Sequence, residues 1–176
     1  NGNKMWITNG HQADFMCLLA NTSEGAAHKN KSLIIVPMKT KGVSVSKPFD
    51  KIGMRASDTV QVFFDDVRVP TRHLIGAENE GFTLQMRQFT DERLYAAASC
   101  IKRLEWCVRE TIAYTGQRKA FGHTILVQQI VHYRLAALQA EIEALRGLTY
   151  RACEQYVRGE DATMLASMAK LKAGRL

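Results

Sequence analysis

The apolar residues of this chain change their spacing at Gly81, and that change limits what the chain can fold into. Beyond it Phe82, Met86, Phe89, Ala97, Ile101, Leu104, Val108 and Ile112 recur at steps of three and four, broken only near Arg93. Such a stripe lies along one side of an α-helix, here a helix that should run to about Gln117. A second helix should start near Leu126 or Gln128, carry Val131, Leu135, Leu138, Ile142, Leu145 and Ala152 on its stripe, and stop at Gly159. Asp161 is placed to cap a third, with Leu165, Met168 and Leu171 on one face. Long helices with one apolar stripe each bury it by packing as an antiparallel bundle.

Before Gly81 the apolar residues instead come in short runs or alternate. Lys4 to Asn9, Asp14 to Ala20, Ser32 to Met38 and Val43 to Val45 read as strands, with Asn9-Gly10 a strong turn signal. Val60, Val62, Phe64, Val67 and Val69 alternate along Thr59 to Val69, which predicts a strand with a kink or bulge near Asp65-Asp66, stopped by Pro70. Several short strands joined by polar turns suggest a small sandwich or barrel. The fold class expected is therefore α+β: residues 1–75 part of a β domain, residues 76–176 helical and incomplete.

Composition narrows the class. At 176 residues and 46% apolar the chain has room for one ordinary domain or two small ones. No apolar run is long enough for a transmembrane helix, and the start does not resemble a signal peptide. Asn1 opens inside a strand approach and Leu176 stands in a helical pattern without a cap, so the chain is expected to be a piece of a longer protein. Cys17, Cys100, Cys107 and Cys153 form no C-x-x-C pair. Cys100 and Cys107 stand roughly 10 Å apart along a helix, beyond disulfide reach. Reduced, buried thiols are expected. His11, His28, His73, His123 and His132 show no metal-ligand spacing and read as surface or loop residues; no metal is expected. The net charge of +7 is dispersed, with no basic block, which weakens a nucleic-acid reading and leaves a polyanionic small molecule such as CoA or FAD open.

Local strings are more specific than the pattern. Lys4-Met5-Trp6-Ile7-Thr8-Asn9-Gly10 resembles the K-x-W-I-T-N-G turn of the acyl-CoA dehydrogenases. Lys51 to Thr59 is similar to their G-x-R-x-S-D-T segment, and Phe64 to Pro70 to their F-x-D-V-x-V-P strand end. Arg118-Lys119-Ala120-Phe121-Gly122 resembles their R-x-x-F-G loop, followed by Gln128-Gln129 where the family carries a residue and then Gln. The strings occur in the family's order and cover essentially the whole chain. The resemblance implies a middle β domain, a C-terminal four-helix bundle, FAD as cofactor, and a homotetramer built as a pair of dimers. It also implies that the family's N-terminal helical domain and last helix lie outside this chain.

Desaturating an acyl thioester requires a base for the α proton, an acceptor for the β hydride, and donors that polarise the carbonyl. The resemblance makes flavin N5 the acceptor and trans-2-enoyl-CoA the product, as in fatty acid β-oxidation, with electron-transfer flavoprotein next in line. Trp6, Ile7 and Thr8 carry over as flavin contacts: the indole packs on the ring, the Thr hydroxyl or backbone bonds near N5, and Ile7 contributes backbone. By itself W-I-T is also an ordinary strand string. Arg118 carries over as a contact to the pyrophosphate of a neighbouring subunit's FAD, its rigid donor fork suiting phosphate oxygens. Lys119 and Ala120 complete that loop. Phe121 packs on the cofactor or merely anchors the loop in the core. Gln128 and Gln129 reach toward the adenosine end, Gln128 departing from the family's usual His.

Most family members carry the base beyond the position of Leu176, whereas the long-chain and isovaleryl-CoA types carry it on the first long helix in an E-R-L string. Thr90-Asp91-Glu92-Arg93-Leu94 supplies that string, so Glu92 is the candidate base. Three residues after Phe89, with Tyr95 and Ala96 on its other flank, it should border the apolar face; apolar surroundings strengthen a carboxylate as a base. The competing reading pairs Glu92 with Arg93, Arg87 or Lys102 as a solvated surface contact. Arg93 would orient acyl-CoA and the acid. Many members have Asp two positions before the base, where this chain has Thr90, with Asp91 one residue later, so the pantetheine contact falls to one of these two. The rival readings are a flavoprotein oxidase or monooxygenase of the same fold, and a binding or assembly protein without turnover. The resemblance places a eukaryotic member in the mitochondrial matrix and a bacterial one in the cytoplasm.

Overall fold

Alternation along Val60, Val62 and Phe64 turns every second side chain of one strand inward, and the first half of the chain is built around that strand. In the computed structural model, which describes residues 1–176, strands β1 (Gly2–Thr8), β2 (Phe15–Asn21), β3 (Lys31–Pro37), β4 (Val43–Val45), β5 (Thr59–Phe64) and β6 (Leu74–Ile75) form two antiparallel three-stranded sheets, ordered β1-β5-β4 and β2-β3-β6. Val36 of β3 joins Val60, Val62 and Phe64 in one core, flanked by Ile7, Met16, Leu18 and Ile34, so of the sandwich and barrel that the strands suggested the two open sheets form a small sandwich.

The irregularity expected near Asp65-Asp66 has a different form. β5 ends at Phe64, the chain turns at Asp66 (φ 45°), and the Asp66 N–H donates to Asn1 Oδ1 at 2.6 Å. The bulge lies in β1, whose pairing with β5 slips between Lys4 and Ile7. Two residues, Met5 and Trp6, stand there opposite one.

Ser32 anchors the approach to the first helix. Fully buried, its hydroxyl meets Thr22 Oγ1 at 2.6 Å and accepts the Asn79 N–H at 2.8 Å. Gly81 then lies so close that a Cβ would come within 2.5 Å of the Ser32 carbonyl carbon. That close approach, not a special φ, requires glycine here. The compact units divide within this helix, as Asn1–Gln85 and Met86–Leu176.

In the second unit, α1 (Gly81–Gln117), α2 (Gln129–Val157) and α3 (Thr163–Ala173) match the predicted spans closely. They share a core of Ala97, Ile101 and Val108 from α1, Leu135, Ile142 and Leu145 from α2, and Ala169 and Ala173 from α3. Cross-links fix the antiparallel order. Arg146 bonds Glu105, Lys172 bonds Glu141, and the Thr90 and Thr163 hydroxyls stand 3.3 Å apart.

The α3 stripe differs from expectation. Leu165 is buried, but Met168 and Leu171 are about half exposed, and Ala162, Ala166, Ala169 and Ala173 face the bundle instead. Small side chains let α3 lie close against its neighbours, and larger ones on that face would hold it away. Asp161 does cap the helix: its carboxylate accepts the Thr163 N–H at 3.0 Å, one residue earlier than the geometric N-cap Ala162.

Candidate functional site

Two neighbouring positions in the bulge of β1 face opposite ways. Ile7 packs into the sheet core, while Trp6 (φ 62°) is turned out and 70% exposed, its ring 4.9 Å from that of Phe49. Thr8 is exposed at the end of the strand, opposite Thr59. A bulge re-aims side chains in this way, and a bulky residue at positive φ persists only where its surroundings over-determine it.

The constraint comes from the S-D-T segment. Asn9 N–H donates to the Asp58 carbonyl at 2.8 Å, Ser57 Oγ donates to Asn9 Oδ1 at 3.1 Å, and the Asp58 carboxylate accepts the His11 N–H at 2.9 Å and Gln12 Nε2 at 3.0 Å. Gly10 is buried at this turn, where a Cβ would strike Val60 at 2.2 Å. Both strings stand out in the sequence, but that one clamps the other does not; the only trace of it is the Ser-Asp pair, residues that bond backbone readily.

The His11 amide, then the Gln12 side chain, hold the Asp58 carboxyl below its ordinary value of 3.8. A carboxylate with a lowered folded-state pKa contributes stability that is present above the unfolded value and lost as pH falls through the folded one. Asp58→Asn should therefore lower denaturant resistance at pH 7, with the gap from wild type closing as the pH is taken below that ordinary value. Urea titrations at a series of pH values check this.

The Arg118 loop is a tight hairpin. β7 (Lys119–Ala120) and β8 (His123–Thr124) pair across Phe121 (φ 55°) and Gly122 (φ 83°), two successive positive-φ residues as in a type I′ turn. Phe121 is 94% exposed, so within this chain it does not anchor the loop in the core. Arg118 and Lys119 are exposed, Ala120 is half-buried, and Arg118 belongs to none of the chain's ion pairs. Gln128 caps α2 through its backbone, leaving its side chain uncommitted to the cap, and Gln129 opens the helix exposed.

Glu92 lies on α1 and lines a shallow concavity with Phe89, Arg93, Ala96 and Lys170. It borders apolar side chains as expected, but it is exposed and accepts a bond from Gln88 Nε2 at 3.2 Å, so this unit does not bury it. Tyr95 points away, 76% exposed. No ion pair joins Glu92 to Arg87, Arg93 or Lys102: Arg93 lies over the Phe89 ring at 5.6 Å, and Lys102 pairs with Glu105 at 3.4 Å. Thr90 is 7% exposed against Thr163, whereas the Asp91 carboxylate near Tyr156 holds that phenol above its usual range. Lys170 lies outside every family string, so nothing in the sequence marks it as part of this surface.

The remaining residues carry less. No three metal-binding side chains cluster. His73 and His132 are half-buried and bond the carbonyls of Ile35 and Leu126, more structural than the surface role expected. All four cysteines are free, but Cys17 and Cys107 are exposed where burial was expected. No helix is long and apolar enough to cross a membrane.

Comparison with known proteins adds independent findings. Residues 1–67 match the family described as acyl-CoA dehydrogenase, middle domain, and residues 79–176 match acyl-CoA dehydrogenase, C-terminal domain. Cyclohexane-1-carbonyl-CoA dehydrogenase of Syntrophus aciditrophicus is 38% identical over 99% of this chain and 45% of its own length. The mitochondrial long-chain specific acyl-CoA dehydrogenase of Rattus norvegicus is 38% identical over 100% of this chain and 41% of its own. The structure of butyryl-CoA dehydrogenase from Megasphaera elsdenii superposes with a TM-score of 0.90 at 32% identity, covering 98% of this chain and 45% of that one. The chain thus spans less than half the length of these relatives.

Proposed function

The chain belongs to the acyl-CoA dehydrogenase family, and from that premise we propose that it is part of an FAD-dependent enzyme converting acyl-CoA to trans-2-enoyl-CoA. The observation that carries the proposal is the pairing of chemistry with strain. Of the three aromatic residues in the family strings, Phe64 is buried in the sheet core; the other two, Trp6 and Phe121, are the two aromatic residues held at positive φ, and both are exposed. Exposed rings on constrained backbone suit a planar cofactor, and a guanidinium without a carboxylate partner suits its phosphates.

In this reading Glu92 removes the α proton, and FAD supplies the acceptor for the β hydride at N5. Trp6 presents a ring face to the isoalloxazine, Thr8 offers a hydroxyl near N5, and Ile7 holds the bulge in place from the core. Arg93, already steadied over Phe89, orients acyl-CoA and the acid, with Asp91 rather than the buried Thr90 available to the pantetheine. Arg118, Lys119, Ala120 and Phe121 receive the pyrophosphate, and Gln128 and Gln129 the adenosine end. Glu92 and Arg118 are separated by about 39 Å along α1, far more than the ribityl chain between ring and pyrophosphate. One cofactor cannot meet both on the same chain, which supports a homo-oligomer, a tetramer of paired dimers, in which Arg118 serves a neighbour's FAD. Electron-transfer flavoprotein is the proposed onward acceptor.

Anaerobic addition of acyl-CoA to the full-length flavoprotein tests the reading. Loss of the visible flavin band marks a dehydrogenase. Rapid recovery in air with peroxide marks an oxidase, and a band that never changes marks a protein without turnover. Arg118→Lys keeps the charge but loses the fork. It should weaken FAD binding to the apoprotein by about tenfold or more, a loss of about 1.4 kcal/mol, read from flavin fluorescence on titration.

A further inference from the structure

The outward side of α2 carries a stripe that no other element of the chain covers. Ile130, Tyr133, Ala137, Ala140, Ala144 and Gly147 recur at steps of three and four, all are exposed, and none is charged. They run about 26 Å along the helix and lie roughly 140° around it from the buried Leu135, Ile142, Leu145 and Ala152. The acids on either flank, Glu141 and Glu143, are already bonded to Lys172 and Arg146. Contact with water alone does not account for the small residues. Gly147 stands well inside the helix, where glycine is less favourable than alanine, and a Cβ added there would meet nothing within 4 Å. Small side chains along one line let a second helix approach closely.

The stripe is continuous with the hairpin that the functional reading hands to a neighbouring subunit. Phe121 on that hairpin is followed by exposed Val127 and Ile130, so apolar side chains lead from the Arg118 loop onto α2. A further helix joining the bundle core would pack on the buried side of α2 and leave this face open. The stripe also complements itself. Reversed about a point midway between Ala140 and Ala144, it sets those two opposite each other and Ala137 opposite Gly147. The same reversal brings Tyr133, 63% exposed, opposite Arg151, an exposed guanidinium in no ion pair, and such a ring and cation attract. A patch that fits its own copy in this way builds a two-fold dimer. We propose that this face docks a second copy of the chain, its α2 laid antiparallel across the strip from Ala137 to Gly147. The inference deepens the proposed function and rests on it for one point, that Arg118 serves a neighbour's FAD.

The test compares wild type, Ala140→Glu and Gly147→Ala as full-length proteins, measuring subunit dissociation by sedimentation over a dilution series, helix content by circular dichroism and FAD affinity by flavin fluorescence. Ala140→Glu puts a carboxylate on each side of the contact. Gly147→Ala adds one methyl group, which favours the helix itself and therefore does not threaten folding. Both variants should keep wild-type helix content while the dissociation constant between subunits rises about tenfold or more, the larger rise coming from the paired charges. An unchanged dissociation constant in either variant overturns the proposal, because a face open to water tolerates both substitutions. A wild type that sediments as a single chain overturns it too, together with the reading that Arg118 serves a neighbour. If the separated variants lose FAD affinity along with assembly, both readings stand. If they separate yet hold FAD as wild type does, the docking face is upheld and the role given to Arg118 alone fails.

Discussion

Glu92→Gln, in the full-length flavoprotein, is expected to bind FAD and acyl-CoA normally and to bleach about 10²–10⁴ times more slowly than wild type, the usual contribution of a positioned base. Glutamine keeps the size and much of the hydrogen bonding of glutamate but cannot take a proton. Its amide can still meet Gln88, which bonds Glu92 at 3.2 Å. The position is exposed and in no ion pair, so the substitution leaves no buried charge unpaired and should not disturb folding. A slow mutant with intact binding puts the proton-abstracting group on α1, as in the long-chain and isovaleryl-CoA types. A wild-type rate puts the base elsewhere in the protein and makes Glu92 a surface residue. The flavin reading would survive that outcome, because it rests on Trp6, Phe121 and Arg118.

Leu145→Ala should produce the largest loss of stability. Leu145 is fully buried on α2, in the cluster where α1 contributes Ala97, Ile101 and Val108 and α3 contributes Ala169 and Ala173. Truncation removes the buried isopropyl end of the side chain and leaves a void that helices on both sides must collapse to fill, a change that costs about 2–5 kcal/mol. Ala169 and Ala173 have no larger rotamer with which to fill it, which argues for the upper half of that range. Denaturant titration should show the midpoint falling with little change in slope. A loss under about 1 kcal/mol would mean the three helices repack freely, against the close-packed alanine face of α3.

Much of this protein is legible in its amino-acid order because hydrophobic period is a local property. Steps of three and four place α1 and α2 to within a residue or two, short apolar runs place β2 and β3, and alternation places the paired part of β5, since each needs only neighbouring residues to agree on which side is buried. The motif strings likewise name Trp6, Arg118, Phe121 and Glu92 as candidates.

What tertiary structure decided is what depends on residues far apart in the chain. Two bulky residues of α3 face outward and its alanines inward, because the space beside α1 and α2, not the hydrophobicity of Met168 or Leu171, chooses the face. The bulge sits in β1 because its register against β5 requires it, and Trp6 is turned out there while Ser57 and Asp58, some fifty residues away, hold the turn. Lys170 reaches the Glu92 surface only when α3 packs alongside α1. A period records which side of an element is apolar. It does not record which neighbour will lie against that side or how closely, and those two quantities determine the charge and geometry of the candidate site.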